Sequence, residues 1–264
     1  MKLAIAGSGG RMGRMLIEAA LAAEDMSIAA ALERPDAPQI GQDCALFLGQ
    51  ASGVSVTSDA SAIARADVLI DFTRPEATLK YLQVCVEHRV RAVIGTTGFD
   101  EAGRRQVEQA ARSVPVVFSP NMSVGVNVTF RLVELAARML PEEFDVEIIE
   151  AHHRQKVDAP SGTALRLGEL VASAQGRTLQ QVAVHARHGM TGPRRPTSVG
   201  FSVVRGGDLV GDHTVMFAGT GERIEITHRA ASRMTYALGA LRAARFVAQR
   251  EPGLYDMRDV LGLG

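Results

Sequence analysis

The runs Val68-Leu-Ile-Asp71 and Ala92-Val-Ile-Gly95 carry consecutive apolar residues instead of alternating ones. A strand that is apolar on both sides must be covered on both sides, which is the condition of a parallel sheet between two helix layers. The flanking pattern agrees. Up to about residue 122, short β-branched runs near 2–6, 27–32, 67–72, 91–95 and 114–118 alternate with helical periodicity near 11–23, 75–88 and 100–112. This is the repeated strand-helix-strand signature of a doubly wound, Rossmann-type α/β sheet. After a helical segment near 124–140 the strands follow one another without helices, near 144–150, 182–187, 199–205, 212–218 and 222–228. Two of them flank Gly219-Thr-Gly221 as a hairpin, so a second α+β domain with a mixed or antiparallel sheet is expected. A strong helix over 231–247 could return to the first domain, giving domains 1–123 with 233–264, and 124–232.

Lys plus Arg and Asp plus Glu balance at 29 each in 264 residues, with no basic cluster or basic amphipathic helix. Nucleic-acid and membrane partners are therefore not expected. The N-terminal apolar run ends after four residues at a glycine cluster, too short for a secretory signal, so a cytoplasmic protein is expected. The two cysteines, Cys44 and Cys85, are far apart and support neither a disulfide framework nor a thiolate zinc site.

Gly7-Ser-Gly-Gly-Arg-Met-Gly13 lies between the first strand and the first helix. Glycines there permit a tight turn and close backbone approach to a pyrophosphate at the helix N-terminus. The match is imperfect, since Met12 takes the third glycine place of G-x-G-x-x-G. Twenty residues after Gly13, Glu33 can accept hydrogen bonds from adenosine ribose hydroxyls, whereas the adjacent Arg34 can pair with a 2′-phosphate. The pair implies use of both NADH and NADPH, with a solvated surface pair as the alternative. Asp71-Phe-Thr73, Gly95-Thr-Thr-Gly98 and Ser119-Pro-Asn-Met122 follow strands on the ligand edge of such a sheet.

Glu150-Ala-His-His-Arg-Gln-Lys-Val-Asp-Ala-Pro-Ser-Gly-Thr-Ala164 carries the second set of chemical groups. Ser161 is a candidate N-cap, and the first-turn N–H groups of Gly162 and Thr163 with the helix dipole form an anion site. Lys156 is three residues past His153 and four past His152, so in a turn all three could face one cavity. A histidine there supplies a proton near neutrality and a lysine pairs with a carboxylate. Metal binding by His152 and His153 is the competing reading, against which adjacent residues seldom ligate one ion and no third ligand stands at recognisable spacing. No metal is expected.

That stretch resembles the signature of the dihydrodipicolinate reductase family, and the likeness runs over essentially the whole chain. It includes Ile70-Asp-Phe-Thr73, Ile94-Gly-Thr-Thr-Gly98, Ser119 to Asn127 and Arg205-Gly-Gly-Asp-Leu-Val-Gly-Asp-His-Thr214. The resemblance implies an NAD(P)H-dependent oxidoreductase of diaminopimelate and lysine biosynthesis that reduces a small cyclic hydroxy-imine dicarboxylate with loss of water. It implies His152 as proton donor or acceptor and Lys156 as second proton donor, with His153, Ser161, Gly162 and Thr163 binding substrate. Gly7, Ser8, Gly9, Gly10, Arg11, Met12, Glu33, Arg34, Gly95, Thr96, Thr97, Ser119, Pro120, Asn121 and Met122 would bind the cofactor. It also implies a homotetramer assembled through the second domain's sheet. Met190 stands in the 188–196 loop where a polar residue is expected. Other two-domain dehydrogenases and a non-catalytic nicotinamide-binding regulator remain as alternatives, although a semialdehyde dehydrogenase would need a thiolate nucleophile.

Overall fold

A computed structural model describes residues 1–263. The chain begins with β1 (Lys2–Ala6), α1 (Arg11–Ala22), β2 (Ser27–Leu32), β3 (Val56–Thr57), β4 (Val68–Asp71) and α2 (Pro75–His88). It continues with β5 (Arg91–Ile94), α3 (Glu101–Ala111), β6 (Pro115–Phe118), α4 (Val124–Met139), β7 (Asp145–His152) and α5 (Gly162–Ala174). The remaining elements are α6 (Leu179–Val182), β8 (Ala183–Val184), β9 (Val199–Arg205), β10 (Gly211–Ala218), β11 (Arg223–Ala230), α7 (Met234–Val247), β12 (Gly253–Tyr255) and α8 (Met257–Leu261). They form two compact units, residues 1–124 together with the chain from Arg233 onward, and residues 125–232.

The first unit holds a seven-stranded sheet ordered β12-β6-β5-β4-β1-β2-β3, with every pairing parallel. Along β1 the side chains divide by parity. Leu3 and Ile5 pack with Leu16 and Ile17 of α1 and with Leu241 and Ala244 of α7. Ala4 and Ala6 face Leu82 and Cys85 of α2 and Val107 of α3. Each fully buried Leu or Ile contributes about 1.5–3 kcal/mol of transfer free energy, so covering both faces is what stabilises the apolar β4 and β5. Strand order reverses between β1 and β4, the topological switch point where ligands of such sheets bind.

In the second unit a five-stranded sheet is ordered β11-β10-β7-β9-β8, with β10 antiparallel to both β7 and β11 and the other pairs parallel. The hairpin at 219–221 and the mixed sheet are both present. One face packs Val146, Ile148, Val215 and Phe217 against Val133 of α4 and Leu167 and Val171 of α5. The strand expected over 182–187 shortens to β8. Gln181 accepts the Thr178 N–H at 2.9 Å and opens a helical turn instead. Beyond it, Arg187 leaves the sheet to form two hydrogen bonds with Glu147, at 2.9 and 2.8 Å. Met190 is fully exposed.

Candidate active site

At the switch point Gly7 adopts φ +70°, and a Cβ there would meet the Thr73 methyl group at 3.0 Å. The turn closes through Gly10 N–H donating to Gly7 O at 3.0 Å. Glu33 Oε2 accepts the Gly9 N–H at 2.9 Å and its Oε1 accepts the Arg34 N–H at 3.1 Å. The acid expected at the ribose thus also shapes the phosphate turn. Arg34 lies on the surface with its Nε 3.3 Å from Asp36 Oδ1. Ser8 Oγ is buried with no hydrogen-bond partner among the described residues, and a cofactor oxygen would satisfy it. The bare glycine backbone and this orphaned hydroxyl fit a dinucleotide pyrophosphate.

After β4, Asp71 Oδ1 accepts both the N–H and the hydroxyl of Thr73, at 2.8 and 2.6 Å. Thr96 Oγ1 joins the same network, accepting from Thr78 Oγ1 at 2.9 Å and from Thr73 N at 3.0 Å. Burial raises the proton affinity of Asp71, opposed by these donors. Thr96 is therefore buried inside a support for the loop, while Thr97 is exposed. Gly95 leaves room for the Phe72 ring, which a Cβ would meet at 2.2 Å. Ser119 Oγ donates to Asn121 O at 2.9 Å. Met122 packs its side chain into the core, and its carbonyl lies against α7, where a Cβ on Gly239 would stand 1.8 Å from Met122 O. Met12 packs against that core, whereas Arg11 and Pro120 are exposed.

In the second unit β7 delivers Glu150 and His152 on one side of the strand. His152 Nδ1 lies 2.6 Å from Glu150 Oε2, and the backbone N–H of Ser161 donates to Glu150 Oε1 at 2.9 Å. Arg205 at the end of β9 donates to both oxygens, at 2.7 and 2.9 Å. Ser161 caps α5 by accepting the Ala164 N–H at 3.2 Å, and its hydroxyl is 3.0 Å from His213 Nε2. The rings of His152 and His213 meet edge to face at 5.1 Å. Lys156 is paired with Asp158 at 2.9 Å. Burial lowers the basicity of His152, and nearby Lys156 and Arg205 add to this, whereas Glu150 opposes it.

The structure thus brings His152, Lys156 and Ser161 together at the opening turn of α5, which Gly162 and Thr163 begin. His153 falls outside the hydrogen-bonded cluster. Its backbone N–H donates to Leu209 O at 2.8 Å, and its half-buried ring has no hydrogen-bond partner among the described residues. Glu150, Arg205 and His213 are members that the sequence reading gave no role. Among the described residues no group of three or more His, Cys, Asp or Glu could hold a metal ion. No helix there is long and apolar enough to cross a membrane.

Family models described as the N-terminus and C-terminus of dihydrodipicolinate reductase match residues 1–122 and 125–261. The chain belongs to the dihydrodipicolinate reductase family. A 4-hydroxy-tetrahydrodipicolinate reductase of Burkholderia pseudomallei is 61% identical over 264 residues, the full length of both chains. One of Bordetella parapertussis is 61% identical over 262 residues, 99% of this chain and 97% of its own. Among solved structures, a dipicolinate-bound dihydrodipicolinate reductase from Paenisporosarcina sp. TG-14 shares the fold, with TM-score 0.78, 24% identity and 98% coverage of each chain.

In this member of the dihydrodipicolinate reductase family His213 is nearly buried, and burial, followed by the charge of His152, lowers its pKa from 6.5 to about 3. Unfolded, the same histidine takes up a proton near 6.5. Its contribution to stability is therefore complete above that pH and is lost as pH falls towards about 3, by on the order of 4 kcal/mol over the window. The urea midpoint of the wild type is expected to drop through this range more steeply than that of His213→Gln. Parallel curves would contradict the assignment.

Proposed function

We propose that this chain is a 4-hydroxy-tetrahydrodipicolinate reductase, taking one NADH or NADPH and one proton and releasing water to give tetrahydrodipicolinate. The observation that carries the reading is the cluster of His152, Lys156 and Ser161 at the start of α5, where cations, helix N–H groups and a proton donor converge. A dicarboxylate fits that field. The first turn of α5 holds one carboxylate and Lys156 attracts the other, and the incoming negative charge raises the proton affinity of His152. His152 Nε2 then supplies the proton that accompanies reduction, with Lys156 as second donor.

The cofactor would lie on the Gly7 to Met12 turn, with Glu33 at the adenosine ribose and the loops at 95–97 and 119–122 beside the nicotinamide. A bound reduced nicotinamide supplies the hydride. Among the described residues the Arg34 side chain is held by an exposed ion pair with Asp36 alone, worth about 1 kcal/mol or less, so it can turn to a 2′-phosphate. Arg34→Ala is expected to lower kcat/KM with NADPH about 10- to 100-fold, the value of a charged hydrogen bond, and to leave NADH nearly unchanged. Equal losses with both cofactors would remove Arg34 from the site.

The homotetramer would form through the open face of the second sheet. Ile149, Val204, Thr214 and Met216 lie there by register, opposite the helices, and Ile149 and Val204 are exposed in the single chain. We also place the enzyme in the cytoplasm, where reduced nicotinamide cofactors are supplied. The test of the reaction is oxidation of NADH and NADPH with freshly prepared 4-hydroxy-tetrahydrodipicolinate. Cofactor binding without oxidation would favour a regulator.

A further inference from the structure

Glu150 lies within the signature stretch, and its side chain is completely buried. Its Oε2 takes His152 Nδ1 at 2.6 Å and Arg205 Nη1 at 2.7 Å. Its Oε1 takes the Ser161 N–H and Arg205 Nη2, both at 2.9 Å. Arg205 is itself anchored, donating through Nη2 to Asp158 O and through Nη1 to Val204 O, each at 2.8 Å. Burial alone would raise the proton affinity of Glu150, but Arg205, His152 and the Ser161 N–H outweigh it and hold the carboxyl below its ordinary range.

An ionised carboxylate has no proton to give, so the contact with His152 has one direction: Nδ1–H donates and Nε2 keeps the exchangeable position. Room at Nε2 is preserved by Gly211, where a Cβ would stand 3.0 Å from that atom. The other oxygen of the same carboxylate fixes the backbone of Ser161, the cap of α5. We propose that Glu150 is a positioning residue that sets both halves of the site at once, selecting the Nδ1–H form of His152 and locking the Ser161 turn that receives the substrate carboxylate. The second half rests on the proposed reading of this cluster as the substrate site.

The groups facing His152 are Glu150 on β7, Arg205 on β9, His213 on β10, and Lys156 in the loop with its partner Asp158. Of the anions among the described residues, Glu150 alone touches the ring. Removing its charge leaves the ring near two cations with no anion in contact with it, so His152 should hold its proton less well.

The first test is nitrogen NMR of histidine-labelled wild-type protein. The expected signature is a protonated Nδ1 and a bare Nε2 on neutral His152. A protonated Nε2 with a bare Nδ1 would overturn the proposal. The second compares Glu150→Gln and Glu150→Asp with the wild type. In the glutamine variant kcat should fall about 10- to 1000-fold, the His152 limb of the pH profile should move to lower pH, and dipicolinate should bind more weakly. The aspartate variant keeps the charge and should recover part of each loss. A folded glutamine variant with an unmoved pH limb and unchanged dipicolinate affinity would refute the proposal. If that variant does not fold, the wild-type tautomer decides. Wild-type protein that neither oxidises NAD(P)H with substrate nor binds dipicolinate would refute the proposed function and leave the tautomer assignment standing.

Discussion

His152→Ala is expected to lower kcat by about two to four decades, the contribution of a positioned acid-base group, while the affinity for NADH changes little. The kinetic split follows from placement. His152 belongs to the second unit, whereas the residues assigned to the cofactor belong to the first. Loss of the imidazole does not leave Glu150 unpaired, because Arg205 and the Ser161 N–H still occupy its oxygens. The variant should therefore fold, and a thermal midpoint near that of the wild type is the control that separates chemistry from collapse. Lys156→Ala should fall in the same range, with a larger rise in KM because Lys156 also attracts a carboxylate. Near-wild-type turnover in both variants would remove these residues from the reaction.

Sequence legibility varied with how local the physical signal was. Unalternating strands such as β4 and β5 announce a sheet covered on both faces, since nothing else accommodates apolar side chains on both sides. Strands β3 and β12 carry no such signal. They are two and three residues long and exist because a neighbouring strand offers a free edge. The Ser161 cap was legible because capping chemistry is confined to a few consecutive residues. Glu150 and His213 were not assigned, yet a trace of them was present. In β7 the buried positions are Val146, Ile148, Glu150 and His152, and in β10 they are Gly211, His213, Val215 and Phe217. A charged or titratable residue at inward parity must find partners, and that parity could have flagged both. The partner of Glu150, Arg205, arrives from 55 positions away in the chain, and that of His213, Ser161, from 52, so both could only be found in three dimensions. Met122 was assigned to the cofactor from its place after β6. Its side chain fills the core beside α7, and its carbonyl lies against the same helix, 1.8 Å from where a Cβ on Gly239 would stand, a packing role that its place after β6 did not announce.

Gly13→Ala is expected to weaken dinucleotide binding by at least about tenfold and to destabilise the first unit by about 1–3 kcal/mol, the range for inserting a methyl group into packed structure. The reason is the identity of what the methyl would strike. A Cβ at Gly13 would lie 2.1 Å from Gly7 O and 2.7 Å from Ser8 Cα. Both are backbone atoms of the turn itself, and Gly7 O is already fixed as acceptor of the Gly10 N–H. Relief would require opening the turn that presents N–H groups to the pyrophosphate, so stability and affinity should fall together. Gly9→Ala is the contrast. Its Cβ would meet only the end of the Gln39 side chain, at 3.0–3.2 Å, and that side chain can move. Gly9→Ala should retain the wild-type melting midpoint, with any loss of affinity arising from a methyl group facing the cofactor. Isothermal titration with NADH and thermal melts of the two variants measure both quantities. A Gly13→Ala protein with wild-type affinity would show that Gly7 to Gly13 is an ordinary strand-helix turn and would move the cofactor elsewhere.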